Sequence, residues 1–170
     1  MRTKGLRDLP LYFGSLSAIA LALSASSAGA QELRNHDLCR QSRAYTPEEL
    51  GNGHIISEGL DSCETVEGVT KGAIWTSYGV WESDDGKTFK EVAGWAIGRK
   101  PGSTNVCQEM TIYGTSEPVT TDGKVTGWTA SGQCTVTLST GDWASLSGKT
   151  WYWTATSTGP MTYEIHSEVK

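Results

Sequence analysis

All seven tryptophans of this 170-residue chain lie between Trp75 and Trp153, inside a run of segments in which polar and apolar residues alternate. Period-two alternation rich in aromatic and β-branched side chains marks a half-buried strand and is incompatible with the 3.6-residue stripe of an amphipathic helix. The pattern covers Gly72–Trp81, Thr88–Ile97, Asn105–Gly114, Lys124–Leu138, Lys149–Ser157 and Met161–Val169. Turn clusters separate these segments: Asp84-Asp85-Gly86-Lys87, Lys100-Pro101-Gly102-Ser103, Thr121-Asp122-Gly123-Lys124 and Gly159-Pro160. Asp-Gly is a hairpin signal, and Pro-Gly suits a tight turn. The order predicts an all-β chain, an antiparallel meander. Open sheet edges invite aggregation, so the strands must close or stack. A small barrel of roughly six to eight strands is the first expectation and a small sandwich the second.

The amino-terminal stretch reads differently. Arg2, Lys4 and Arg7 precede a mostly apolar run, Leu11–Ala25, and Ala28-Gly29-Ala30 supplies a small-residue cleavage pattern. This is the layout of a signal peptide over residues 1–30, cut before Gln31, and it predicts a secreted or periplasmic protein. Leu11–Ala25 is 15 residues long, short of the roughly 20 that a spanning helix needs, so no membrane anchor is expected. Cleavage would leave 140 residues, one domain with a real core. It would remove three of the 14 basic and one of the 19 acidic residues, leaving a net charge of −7. Such a surface repels nucleic acid and anionic lipid, and no basic cluster interrupts it.

Residues 31–71 lack tryptophan and show little alternation. They are expected to form a short irregular strap packed on a barrel of residues 72–170. Thr46-Pro47-Glu48-Glu49-Leu50 has a cap, a first-turn proline and two carboxylates suited to a short helix start. Strands near His54–Ser57 or Glu64–Thr70 are an alternative. The four cysteines permit three pairings. Cys39–Cys63 is favoured because it closes a loop in the strap, and Cys107–Cys134 because it joins consecutive strands. No C-x-x-C spacing is present, so no metal is expected on the thiols.

One turn carries a resemblance. Ser139-Thr140-Gly141-Asp142-Trp143-Ala144-Ser145-Leu146-Ser147-Gly148, leading into the strand Lys149–Thr156, is similar to a turn in dirigent and allene-oxide-cyclase type barrels. There a Thr-Gly, an aromatic, a small residue and a Gly precede a late strand, and Gly132-Gln133-Cys134-Thr135-Val136 resembles the strand before it. The resemblance spans about 25 residues, mostly Gly and small side chains. It implies an eight-stranded barrel with a partly apolar interior, in families that include both cyclases and proteins with no chemistry of their own. Avidin-like and lipocalin-like barrels share the Trp-rich meander.

Strand parity selects the candidate site. Trp151 and Trp153 share a face, as do Trp75 and Trp81, while Trp128 shares one with Ala130, Cys134 and Val136. Strict alternation puts Glu91 between Phe89 and Trp95 on an apolar face. A carboxylate there could serve as general acid or base, or hold a polar group of a ligand. The favoured reading is a bulge near Gly94 that turns Glu91 to water, since acids are seldom buried. Trp75, Phe89, Glu91, Trp95, Trp128, Trp151 and Trp153 are the candidate ligand contacts; no catalytic residue is assigned. His36, His54 and His166 do not converge in sequence. Glu164, His166 and Glu168 form a solvated outer row, and no metal or cofactor is expected.

Three function classes follow. The first is an exported barrel binding a small apolar or aromatic ligand without catalysis. The second is a cyclase- or isomerase-type enzyme using Glu91 or Tyr113. The third is a structural or host-interaction protein, with outward aromatics as an adhesive patch in a homodimer. No nucleophile elbow, zinc-protease helix or phosphate loop is present.

Overall fold

The computed structural model describes residues 33–109 and 114–169, except for the side chains of residues 44, 45 and 105–109. The signal-peptide reading over 1–30, Tyr113 and the thiol of Cys107 therefore lie outside the described residues. What is described is a closed antiparallel barrel with almost no helix.

Nine strands follow in chain order: β1 Arg34–Gly51, β2 His54–Gly68, β3 Ile74–Ser83, β4 Phe89–Lys100, β5 Ser103–Glu109, β6 Gly114–Thr121, β7 Lys124–Thr140, β8 Thr150–Gly159 and β9 Thr162–Val169. Each pairs antiparallel with its neighbours, and β9 returns to β1 from Arg34↔Glu168 to Arg40↔Thr162, which closes the ring. β5 and β6 share one stave. The carboxy-terminal parts of β4 and β7 pair with β5, and their amino-terminal parts pair with β6. Eight staves thus close an up-and-down barrel, and no sheet edge is left along most of its height.

Three expectations need correction. Residues 34–68 are not an irregular strap but two staves of the wall, paired with each other and with β9 and β3. Thr46–Leu50 is not helical. It belongs to β1, with Thr46 opposite Glu58 and Glu49 opposite Ile55. The overlooked signal is Asn52-Gly53, with φ of 56° and 77°. Positive φ at both central residues is the type I′ geometry that folds a chain back as a hairpin. The third correction is β6, which lies between the expected segments Asn105–Gly114 and Lys124–Leu138 and contains Pro118. Pro118 pairs with Trp128 of β7, but β4 reaches only Gly114–Ser116, so the proline occupies an edge position where no ladder donor is needed.

Two groups of apolar side chains fill the barrel. At one end Ala73, Cys134, Val136, Trp143, Leu146 and Trp151 are buried together, with Leu33, Val69 and Val169 packed against them. Nearer the middle are Cys39, Cys63, Ala130, Ala155 and Tyr163. Cys39 and Cys63 are directly opposite on β1 and β2 and form a disulfide, as expected. Cys134 is disulfide-bonded as well.

Candidate functional site

A cavity of about 550 Å³ runs through the barrel interior. At one end, behind the lining residues Trp75, Cys134 and Trp151, packs the turn singled out in the sequence. Gly141–Leu146 forms a 3-10 helix that turns Trp143 and Leu146 inward, both buried. Trp143 stacks on Trp75 with centroids 6.3 Å apart and planes 3° from parallel. Gly141 has φ 60°, and a Cβ there would meet the Gly102 carbonyl oxygen, so only glycine lets this plug seat. The opposite end carries the hairpin tips, where Pro47, Gly86, Lys87, Pro118 and Val125 line the mouth.

The wall is aromatic. Trp75, Trp81, Phe89, Trp128, Trp151 and Trp153 all face the cavity. Trp75 lies across Gly98, its cross-strand partner, where a Cβ would strike the indole at 2.7 Å. Its Nε1–H donates to Thr65 Oγ1 at 2.9 Å, and the Thr65 hydroxyl donates to Asp37. Trp128 meets Tyr163 at 5.1 Å with planes tilted 55°. Among the described residues, the buried Nε1–H groups of Trp151 and Trp153 have no acceptor. Both are donors on the cavity wall, and buried donors ordinarily find a partner.

Three carboxylates share this lining. Asp37, Asp61 and Glu91 are buried at 8%, 4% and 3% exposure. Burial holds the Asp37 carboxyl above its ordinary range, against the opposing pull of the Thr65 hydroxyl and the charges of His36 and His166. Glu91 lies over Gly114 of β6, where an added Cβ would come within 2.6 Å of its carboxylate.

Glu91 points inward because of a bulge, though not with the expected effect. On β4 the register jumps between Val80↔Ala93 and Trp81↔Glu91, leaving Val92 as an extra residue. A one-residue insertion flips every side chain beyond it to the other face. Phe89 and Glu91 therefore face the cavity with Ala96, while Trp95 turns outward. Strict alternation had placed Trp95 beside Glu91. Instead it is 39% exposed and stacks on Tyr78 at 6.4 Å on the outer wall.

Six of the seven candidate contacts thus surround one cavity, and Trp95 does not. Trp81, Asp37 and Asp61 were missed. Trp81 was already paired in parity with Trp75. Asp37 and Asp61 lie two residues from Cys39 and Cys63, so reading 34–68 as strands would have turned all four inward. Against known proteins, the chain matches no family model and no curated sequence.

Proposed function

We propose that this is an exported binding protein whose barrel takes up a small apolar or aromatic ligand without transforming it. The observation that supports this reading is the indole-lined cavity, backed at one end by the buried Trp143 and Leu146 and bordered at the other by turns. Its volume, about 550 Å³, falls in the range of small-molecule sites, as does a mostly apolar wall with a few polar groups. Indole faces suit a planar or alicyclic body, and the Nε1–H groups of Trp151 and Trp153 suit an acceptor on it. The dirigent and allene-oxide-cyclase resemblance belongs to the same reading, since that barrel type includes proteins without chemistry. Export is inferred from the amino-terminal pattern, and the Cys39–Cys63 disulfide is consistent with an oxidising compartment.

Native mass spectrometry of protein recovered from its exporting host tests the binding reading. A co-purified small molecule, lost on Trp151→Ala or Trp153→Ala, is the expected result. Bare protein whose indole emission ignores a broad set of apolar and aromatic compounds would refute it. The amino terminus of the exported form should begin at Gln31.

The burial of Glu91 against the cavity favours one second reading, an isomerase or cyclase using it as acid or base. Glu91→Gln separates the two. If the protein is a carrier, the variant still loads ligand, with at most a modest loss of affinity, and returns it unchanged. Conversion of the bound compound by wild type alone would make the protein an enzyme.

A further inference from the structure

We propose that His36, Glu164 and His166 form a site for a divalent transition-metal ion of the zinc or copper class, which clips the first strand of the barrel to the last. The three residues lie on the outer wall, away from the cavity, so the inference is independent of the ligand reading. His36 of β1 is directly opposite His166 of β9, and Glu164 is two residues along β9 on the same face. Their donor atoms all lie within 4.8 Å of one another. The imidazoles stack at 4.3 Å with planes 18° apart, and His36 Nε2 is 3.2 Å from Glu164 Oε2.

These distances bring the three donors close to a chelate. With bonds of about 2.1 Å to nitrogen and oxygen, neighbouring ligands of a tetrahedral ion sit roughly 3.4 Å apart. Binding requires the two stacked imidazoles to turn out of their stack so that their in-plane lone pairs converge on the ion. Two imidazoles and one carboxylate suit zinc, copper or nickel, and unsuited hard ions such as calcium prefer all-oxygen sites. The surroundings favour a cation. Glu67 of β2 is opposite His36, and Glu168 follows on β9, where it pairs with Arg34 at 3.6 Å. Asp37 lies behind His36, on the inner face.

The location gives the ion a structural consequence. His36 and Glu164 are 128 residues apart in sequence, on the two strands whose pairing closes the ring. An ion bound there only by the folded form stabilises the closed ring by mass action.

Titration of the full mature chain with zinc chloride in a non-coordinating buffer at neutral pH tests this. One ion per chain, with a raised melting midpoint, is expected. His36→Gln and His166→Gln should each weaken binding by more than about a hundredfold, beyond the roughly 10–100-fold that loss of an outer-shell partner typically costs. His54→Gln, at the far end of the barrel, should leave affinity unchanged. Glu164→Gln gives a milder third variant, and circular dichroism checks that each retains the fold. Copper(II) bound to wild type should show two-nitrogen coordination by electron paramagnetic resonance, a readout that needs no variant. Equal zinc affinity in wild type and the double histidine variant would overturn the proposal, as would no saturable binding below millimolar zinc.

Discussion

Asp37 shows how one side chain can be costly to the fold and still belong to the site. Its carboxyl is buried beside the Thr65 hydroxyl, and desolvation is the largest influence on it, holding its pKa above the ordinary 3.8. In the unfolded chain the group returns to that ordinary value. Between the two, the folded protein keeps a proton that the unfolded chain has released, so the contribution of Asp37 to stability falls as pH rises through this interval. Asp37→Asn keeps an acceptor for Thr65 and removes the titration. In urea unfolding from acid to neutral pH, the variant should gain on wild type as pH rises past 3.8 and then hold a constant lead. A gap that stays flat over the whole range would mean that burial does not govern this carboxyl.

At the scale of elements, local patterns were legible where strand, turn and burial agree. The segments beginning near Gly72, Thr88, Lys124, Lys149 and Met161 all became strands, and Asp122-Gly123 adopts the expected paired positive φ. Legibility failed where pairing across the barrel overrides local chemistry. Thr46-Pro47-Glu48-Glu49 has the residues of a helix start, yet β2 supplies a ladder partner for each, and the Asn52-Gly53 turn fixes that register. The Val92 bulge has no signature in composition, because it answers to the register of β3, so the fate of Trp95 was hidden. Glycines with the same backbone sign also differ in consequence. At Gly53 a Cβ finds its nearest neighbour, the Asp84 carbonyl oxygen, at 3.7 Å; at Gly141 it would overlap the Gly102 carbonyl. Gly53→Ala should therefore cost only the left-handed strain, about 1–2 kcal/mol. Gly141→Ala should cost several-fold more and expose Trp143 by unseating the plug. Chemical denaturation gives the first comparison, and the emission maximum of the folded variants gives the second.

For the whole molecule, the closed ring, the plug and the cavity set stability against occupancy. Pairing around eight staves satisfies the backbone without help from the interior, so the core need not be filled completely. An interior of about 550 Å³ forgoes apolar contacts that a packed core of the same size would make. Ser77 offers a direct probe. It faces the cavity on β3 opposite Ala96, among positions whose neighbours are Trp75 and Gly79. Ser77→Leu adds apolar atoms to open space, and at about 0.8 kcal/mol per buried methylene it should stabilise the ligand-free protein by about 1–2 kcal/mol. The same atoms occupy volume that a ligand would need, so affinity for any compound recovered from the wild type should fall by more than about tenfold, a loss of roughly 1.4 kcal/mol or more. Thermal unfolding and ligand titration on one preparation measure both effects. A variant that is stabilised and still binds at full strength would place the ligand elsewhere, whereas a destabilised variant would show that the interior has relaxed around its indoles and has no room to fill. Opposite movement of the two quantities is what selection for an occupied cavity predicts, because stabilising substitutions at a binding site are characteristically those that damage function.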